Sequence, residues 1–319
     1  MNAPTRVVGF VLGVAVAFVV AYAVGTQVGP MGEPAEASGH SDGGHSNGGH
    51  SNGGHSDGGH SDEGHSDEGA APAGSADAAT LPGGLMVSEG GYTLALQDST
   101  ARAGRGQEIS FLIEGPDGPV TAYDVEHEKR LHFIAVRRDF TGFQHVHPTL
   151  SEDGTWTTAL DLTPGQWRVF ADFKPTGGET HTLGSDLSVP GQVDLADKGK
   201  VTRTATVDDY TVDLTGDLVA GEHSMLKLRV SRDGRPVTDL QPYLGAYGHL
   251  VALRGGDLAY LHVHPDGSPG DGTTEPGPEI EFGAEVPSDG TYHLYLDFRH
   301  DGVVRTAQFQ LDATTAGSR

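Results

Sequence analysis

The stretch Leu131-His132-Phe133-Ile134-Ala135-Val136-Arg137, followed by Phe143-Gln144-His145-Val146-His147-Pro148, reads as two short strands joined by a polar turn. It returns 117 residues later as Gly248-His249-Leu250-Val251-Ala252-Leu253-Arg254 and Tyr260-Leu261-His262-Val263-His264-Pro265. Both copies carry H-x12-H-x-H-P. Recurrence of three histidines and a proline at one offset marks a tandem domain duplication.

Further pairs support the repeat. At the same offset Glu108–Ile113 falls on Met225–Val230, and Pro119-Val120-Thr121 on Pro236-Val237-Thr238. A loop inserted around Pro269 to Pro278 lengthens the offset to 125, where Gly165, Trp167, Asp172 and Phe173 meet Gly290, Tyr292, Asp297 and Phe298. Alternating apolar runs bounded by Gly, Pro and Asp place strands in the first copy near 92–97, 107–113, 130–137, 142–147, 155–162, 166–173 and 180–189. The expected fold is therefore all-β, two tandem immunoglobulin- or fibronectin-like sandwiches, with a tyrosine corner at Tyr292 and Trp167 in its place in the first copy. Domain limits are expected at 81–190 and 206–313, with a linker at 191–205 and a disordered tail at 314–319.

The chain before residue 81 has a different character. Val7 to Val24 is an unbroken apolar run of membrane-targeting type, and the expected anchor or signal segment covers 1–28. Arg6 precedes the run and no Lys or Arg follows before Arg102, which places the later domains outside the cell. The expected location is a single-pass cell-membrane protein, or a secreted one if cleavage follows Ala23. Residues 29–80 form a tether with six G-H-S-[D/N]-[G/E] pentads carrying His40, His45, His50, His55, His60 and His65. Such a Gly-rich polar repeat buries nothing and cannot offset the entropy of ordering. A flexible chain can nevertheless wrap two or three imidazoles onto one ion, giving low-affinity metal capture.

Composition narrows the chemistry. Lys and Arg number 20 against 44 Asp and Glu, a net charge of −24 that argues against a nucleic-acid partner. With no cysteine, disulfides, thiolate metal sites and Cys nucleophiles are excluded. Metal chemistry must use His, Asp, Glu or Met.

Hairpin arithmetic brings the histidines together. Gly255-Gly256 offers a two-residue turn pairing residues whose numbers sum to 511, which sets His249 opposite His262; the corresponding sum of 277 sets His132 opposite His145. His147 and His264, two places on, share the face of their partners. Each copy is thus expected to hold a three-histidine metal site: His132, His145 and His147 in the first, His249, His262 and His264 in the second. Strand neighbours add Asp172 and Asp297, as a fourth ligand or an acceptor that fixes an imidazole tautomer. The same parity gives the His faces an apolar collar: Ile134, Val136, Phe143 and Phe170 in one, Val251, Leu253, Tyr260 and Tyr295 in the other. The cover for that face is the other domain, a second copy or a partner. His127, His181, His223, His293 and His300 do not recur and are read as structural.

These motifs, Leu131–Val136, Phe143–Pro148 and Val169–Phe173 with their second-copy equivalents, resemble secreted or membrane-anchored actinobacterial proteins with paired immunoglobulin-like domains. Those are akin to the YtkA-like and FixH-like modules of copper-handling systems, and the resemblance covers roughly residues 85–312. It implies extracytoplasmic binding of copper or another heavy metal and a metal-transporting or metal-accepting partner. With His but no Cys or clustered Met, the donor set suits Cu(II) or Zn(II). No catalytic role is expected. The alternatives are a non-catalytic cell-surface interaction protein whose histidines are structural, and a hydrolase or hydratase built on a three-histidine zinc site with an open position.

Overall fold

The structure, a computed structural model, describes residues 81–193, 201–261, 263–315 and 317. The expected membrane segment, the six pentads and His262 lie outside the described residues. Among the described residues no helix is long and apolar enough to cross a membrane.

The seven strands expected in the first copy lie at Tyr92–Leu96, Gly104–Gly115, Leu131–Arg137, Gln144–Val146, Trp156–Leu162, Gly165–Phe173 and His181–Val189. They form a sandwich. One sheet runs in the order Ser88–Glu89, Tyr92–Leu96, Gly104–Gly115, Trp156–Leu162, Thr149–Leu150, with Gly118–Pro119 attached to the long third strand. The other runs His181–Val189, Gly165–Phe173, Leu131–Arg137, Gln144–Val146. The second copy repeats the plan. Thr204–Val207, Tyr210–Thr215, His223–Arg232, Glu279–Glu285 and Val263–Pro265 make one sheet, with Arg235–Pro236 attached. Leu218–Ala220, Val303–Thr315, Gly290–His300, Gly248–Arg254 and Tyr260–Leu261 make the other. Both domains are immunoglobulin- or fibronectin-like sandwiches.

Period-two patterning builds each core. In His223–Arg232, Leu226, Leu228 and Val230 are buried while Met225, Lys227 and Arg229 are exposed. The aromatic corner exists in both copies. Tyr292 Oη donates to the carbonyl of Ser288 at 2.8 Å, and Trp167 Nε1 donates to that of Thr163 at 2.9 Å, each four residues upstream. Indole N–H thus replaces the phenol, and the substitution keeps the device.

The strand Leu131–Arg137 is buried at every position, unlike an edge facing water. Leu131, Phe133 and Ala135 join the first core, while Ile134 and Val136 point the other way into a third apolar cluster. That cluster joins Ile134, Val136, Phe143 and Phe170 of the first sandwich to Val251, Leu253, Leu258, Tyr260 and Tyr295 of the second. The cover of each His face is therefore the other sandwich. Phe143 stacks on Tyr295 at 3.9 Å and Phe140 on His293 at 3.7 Å, and Tyr295 Oη donates to the Phe140 carbonyl at 2.8 Å. Each buried aromatic contributes roughly 1.5–3 kcal/mol, so this face holds the sandwiches together.

The chain just before the first sandwich straps the joint. Tyr260 N donates to the Gly83 carbonyl at 2.9 Å, and Gly84 N to the Thr182 carbonyl at 2.7 Å. Gly84 is in the left-handed region at φ 73°, and a Cβ there would sit 2.5 Å from the Phe170 ring. Only glycine passes at this crossing.

The hairpin registers differ from expectation by two. In the second copy Ala252 faces Leu261 and Leu253 faces Tyr260, a sum of 513; in the first, Ile134 faces His145, a sum of 279. The turn is longer than Gly255-Gly256, because Leu258 N reaches back to the Arg254 carbonyl and Leu258 itself takes φ 63°. Phe140 takes φ 66° in the first copy, and the ion pairs Arg137–Asp139 and Arg254–Asp257 brace the two turns. A slip of two preserves the face of every side chain.

Candidate functional site

His132 is the second residue of its strand, with Asp172 as its cross-strand neighbour, and His145 comes from the short edge strand beside it. Their side chains and that of His147 converge, with one nitrogen from each lying within 4.8 Å of the others. Among the described residues this is the one such group of three. His132 Nδ1 lies 3.0 Å from His145 Nε2 and 3.3 Å from His147 Nε2.

Hydrogen bonding on the far sides of the rings decides the tautomers. His132 Nε2 is 3.2 Å from the Glu126 carbonyl, which only accepts, so Nε2 carries the hydrogen and Nδ1 presents a lone pair. His145 Nδ1 donates to Asp297 Oδ2 at 2.9 Å, which in the neutral ring leaves its Nε2 as a lone pair too. Two acceptors 3.0 Å apart cannot bond to each other. Burial holds His132 down at about 3, so His132 is not the ring that would carry a proton shared between them. His147 is likewise held at about 3, first by burial and then by His145 and Lys129. A cation removes the conflict: two imidazole nitrogens each about 2.0–2.1 Å from a tetrahedral ion are about 3.3 Å apart. The three residues fit a Zn(II)-like ion.

Asp297 belongs to the second sandwich. Its other oxygen accepts from Thr306 Oγ1 at 2.6 Å, so the carboxylate is fixed from both ends. The His145 and Asp297 side chains are 1% and 4% exposed, in an environment where a charge-assisted bond is strong. Strand pairing alone assigns Asp297 to His249, its cross-strand partner. Instead it crosses to the first sandwich.

The second copy does not repeat the first. Val263–Pro265 leaves the sheet of His249 and pairs with Glu279–Glu285, setting His264, exposed, opposite Gly283. His264 thus lies on a different sheet from His249. His262, the remaining member, lies outside the described residues. His249 turns to the first copy's histidines: its ring is parallel to that of His132 at 5.6 Å and lies 4.9 Å from that of His145.

Asp172 is buried, accepts from Thr182 Oγ1 at 3.3 Å, and has its carboxyl pushed up to about 6 by that burial. With Glu126, His127 and His132 it lines a cavity of about 10 Å³. His127 is the residue that the repeat did not disclose. Its ring lies 6.0 Å from His132 and 5.8 Å from His249. Its counterpart 117 residues on is Leu244, so a search for recurring histidines passes over it. The signal is its place five residues before His132, on the turn that also supplies the Glu126 carbonyl.

No curated protein matches the chain. Among solved structures, similar ones include the Escherichia coli adhesin FdeC, with TM-score 0.22, 15% identity, and coverage of 74% of this chain and 66% of that one. Others are the Yersinia pseudotuberculosis adhesin InvE, at 0.21, 12%, 69% and 58%, and the D0-D1 domain of intimin, at 0.20, 13%, 70% and 97%. The chain spans about two thirds of FdeC and less of InvE. One family matches twice, over residues 87–191 and 205–315, more than half of the chain, and the protein therefore belongs to the family described as Domain of unknown function (DUF8832), with two copies in tandem.

Proposed function

We propose that this protein is a divalent transition-metal-binding protein whose principal site is His132, His145 and His147. The observation that carries the reading is the pair of facing lone pairs on His132 Nδ1 and His145 Nε2, 3.0 Å apart, with their tautomers fixed by Glu126 and Asp297. All-imidazole donation suits Zn(II) or Cu(II). The sequence expectations extend this reading: a membrane segment and a His-pentad tether hold the sandwiches outside the cell, the pentads gather ions weakly, and a copper- or zinc-handling partner supplies or receives them. The resemblance to copper-associated modules supports that setting.

The role is binding rather than catalysis. The apolar joint of Phe143, Tyr295, Phe170 and Tyr260 lies against the His faces, a poor setting for substrate access. The test is calorimetric titration of Zn(II) and Cu(II) into the full chain and its His132→Ala variant, the pentads giving the same weak background in both. A tight equivalent present in the first and lost in the second supports the reading. Equal isotherms would sink it and leave a surface interaction protein with structural histidines.

A further inference from the structure

We propose that His127 and His249 form an outer ion station, through which a divalent transition ion reaches and leaves the buried triad. The inference rests on the triad being a metal site. His132 belongs to two triangles of rings. The inner one, with His145 and His147, has centroid separations of 5.2, 5.1 and 4.9 Å. The outer one, with His127 and His249, has separations of 6.0, 5.8 and 5.6 Å. Imidazoles this close pass an ion from one to the next by side-chain rotation, with His132 as the pivot common to both sets.

The turns of the two repeats decide the side on which the ion passes. Glu126 bridges to Lys129 in the first copy as Tyr243 bridges to Ala246 in the second. The second position of the later turn is Leu244, at φ 58° and 1% exposed, and Tyr243 beside it faces the His147 ring at 6.4 Å. That turn buries its leucine and sets an aromatic ring beside the site. At the same position the first copy has His127, at φ 47° and half-buried. The cavity of about 10 Å³ lies on this side and touches His132. Glu126 and Asp172 line it together with Lys129, Arg130 and Lys174, and Glu126 pairs with Lys174 at 3.5 Å. One turn seals and its repeat admits.

The station differs from a ligand position in what its loss does. A ligand sets affinity, whereas an outer station sets the rate of exchange. Zinc loaded on the full chain is withdrawn by a chromophoric chelator in stopped flow, comparing the unmodified protein with His127→Leu. Leu already occupies this turn position in the second copy, so the fold accommodates it, and a melting curve checks this. The expected result is markedly slower withdrawal with equilibrium affinity nearly unchanged. Unchanged rates would overturn the proposal, and so would affinity falling to that of His132→Ala, which would make His127 a ligand. An unmodified chain holding no more zinc than His132→Ala would instead overturn the metal reading itself.

Discussion

Asp297 Oδ2 and His145 Nδ1 lie 2.9 Å apart although 152 residues separate them, because one sandwich provides the imidazole and the other the carboxylate that orients it. The two copies divide one histidine cluster between them: three imidazoles from the first, an orienting acceptor from the second. Metal affinity and the docking of the sandwiches are then linked, each favouring the other.

Asp297→Asn keeps the shape but replaces the carboxylate, weakening the hold on the tautomer that presents His145 Nε2. Zinc affinity should fall by about 10- to 100-fold, as for other groups that orient metal ligands. Chelator competition measures it. Unaltered affinity would show that the contact is incidental.

Phe143→Ala removes the ring stacked on Tyr295 at the joint. Stability should fall by about 3 kcal/mol, the lower end for truncating a buried phenylalanine, as read from denaturant unfolding. Zinc affinity should drop as well, although Phe143 is no ligand, because the joint holds Asp297 against His145.

His264→Ala should leave the tight equivalent of zinc intact. The residue is exposed opposite Gly283, on a different sheet from His249. Loss of the tight equivalent in this variant would instead favour the second-copy triad expected from the sequence.

Much of this arrangement was legible in the sequence, and the failures have definite physical origins. The repeat, the strands and the apolar collar follow from period-two patterning and from Trp167 and Tyr292 at the corners. The collar residues Phe143 and Tyr295 announced a covered face, but parity alone does not say what covers it. Register arithmetic assumed a two-residue turn, while Phe140 and Leu258 adopt left-handed backbone that lengthens it. The slip of two left the convergence of His132, His145 and His147 intact. Pairing rules act within one sheet, so they linked Asp297 to His249, its strand neighbour, and could not see the carboxylate reach across to His145. They also kept His264 beside His249, whereas its strand switched sheets.

His293 supplies a pH test at the joint, apart from the metal site. Burial against Phe140 lowers it from 6.5 to about 4. The unfolded chain therefore binds this proton more readily than the folded one, so its contribution to stability is present above pH 6.5 and is lost as pH falls toward 4. Melting curves of His293→Phe should show a flatter decline over that window than the unmodified protein. Parallel declines would contradict the assignment.

The central claim is met most directly by diffraction from zinc-loaded crystals at the zinc absorption edge. An anomalous peak is expected between His132 Nδ1, His145 Nε2 and His147 Nε2, at about 2.0–2.1 Å from each. Zinc found only elsewhere, with these three nitrogens left without an ion, would contradict it.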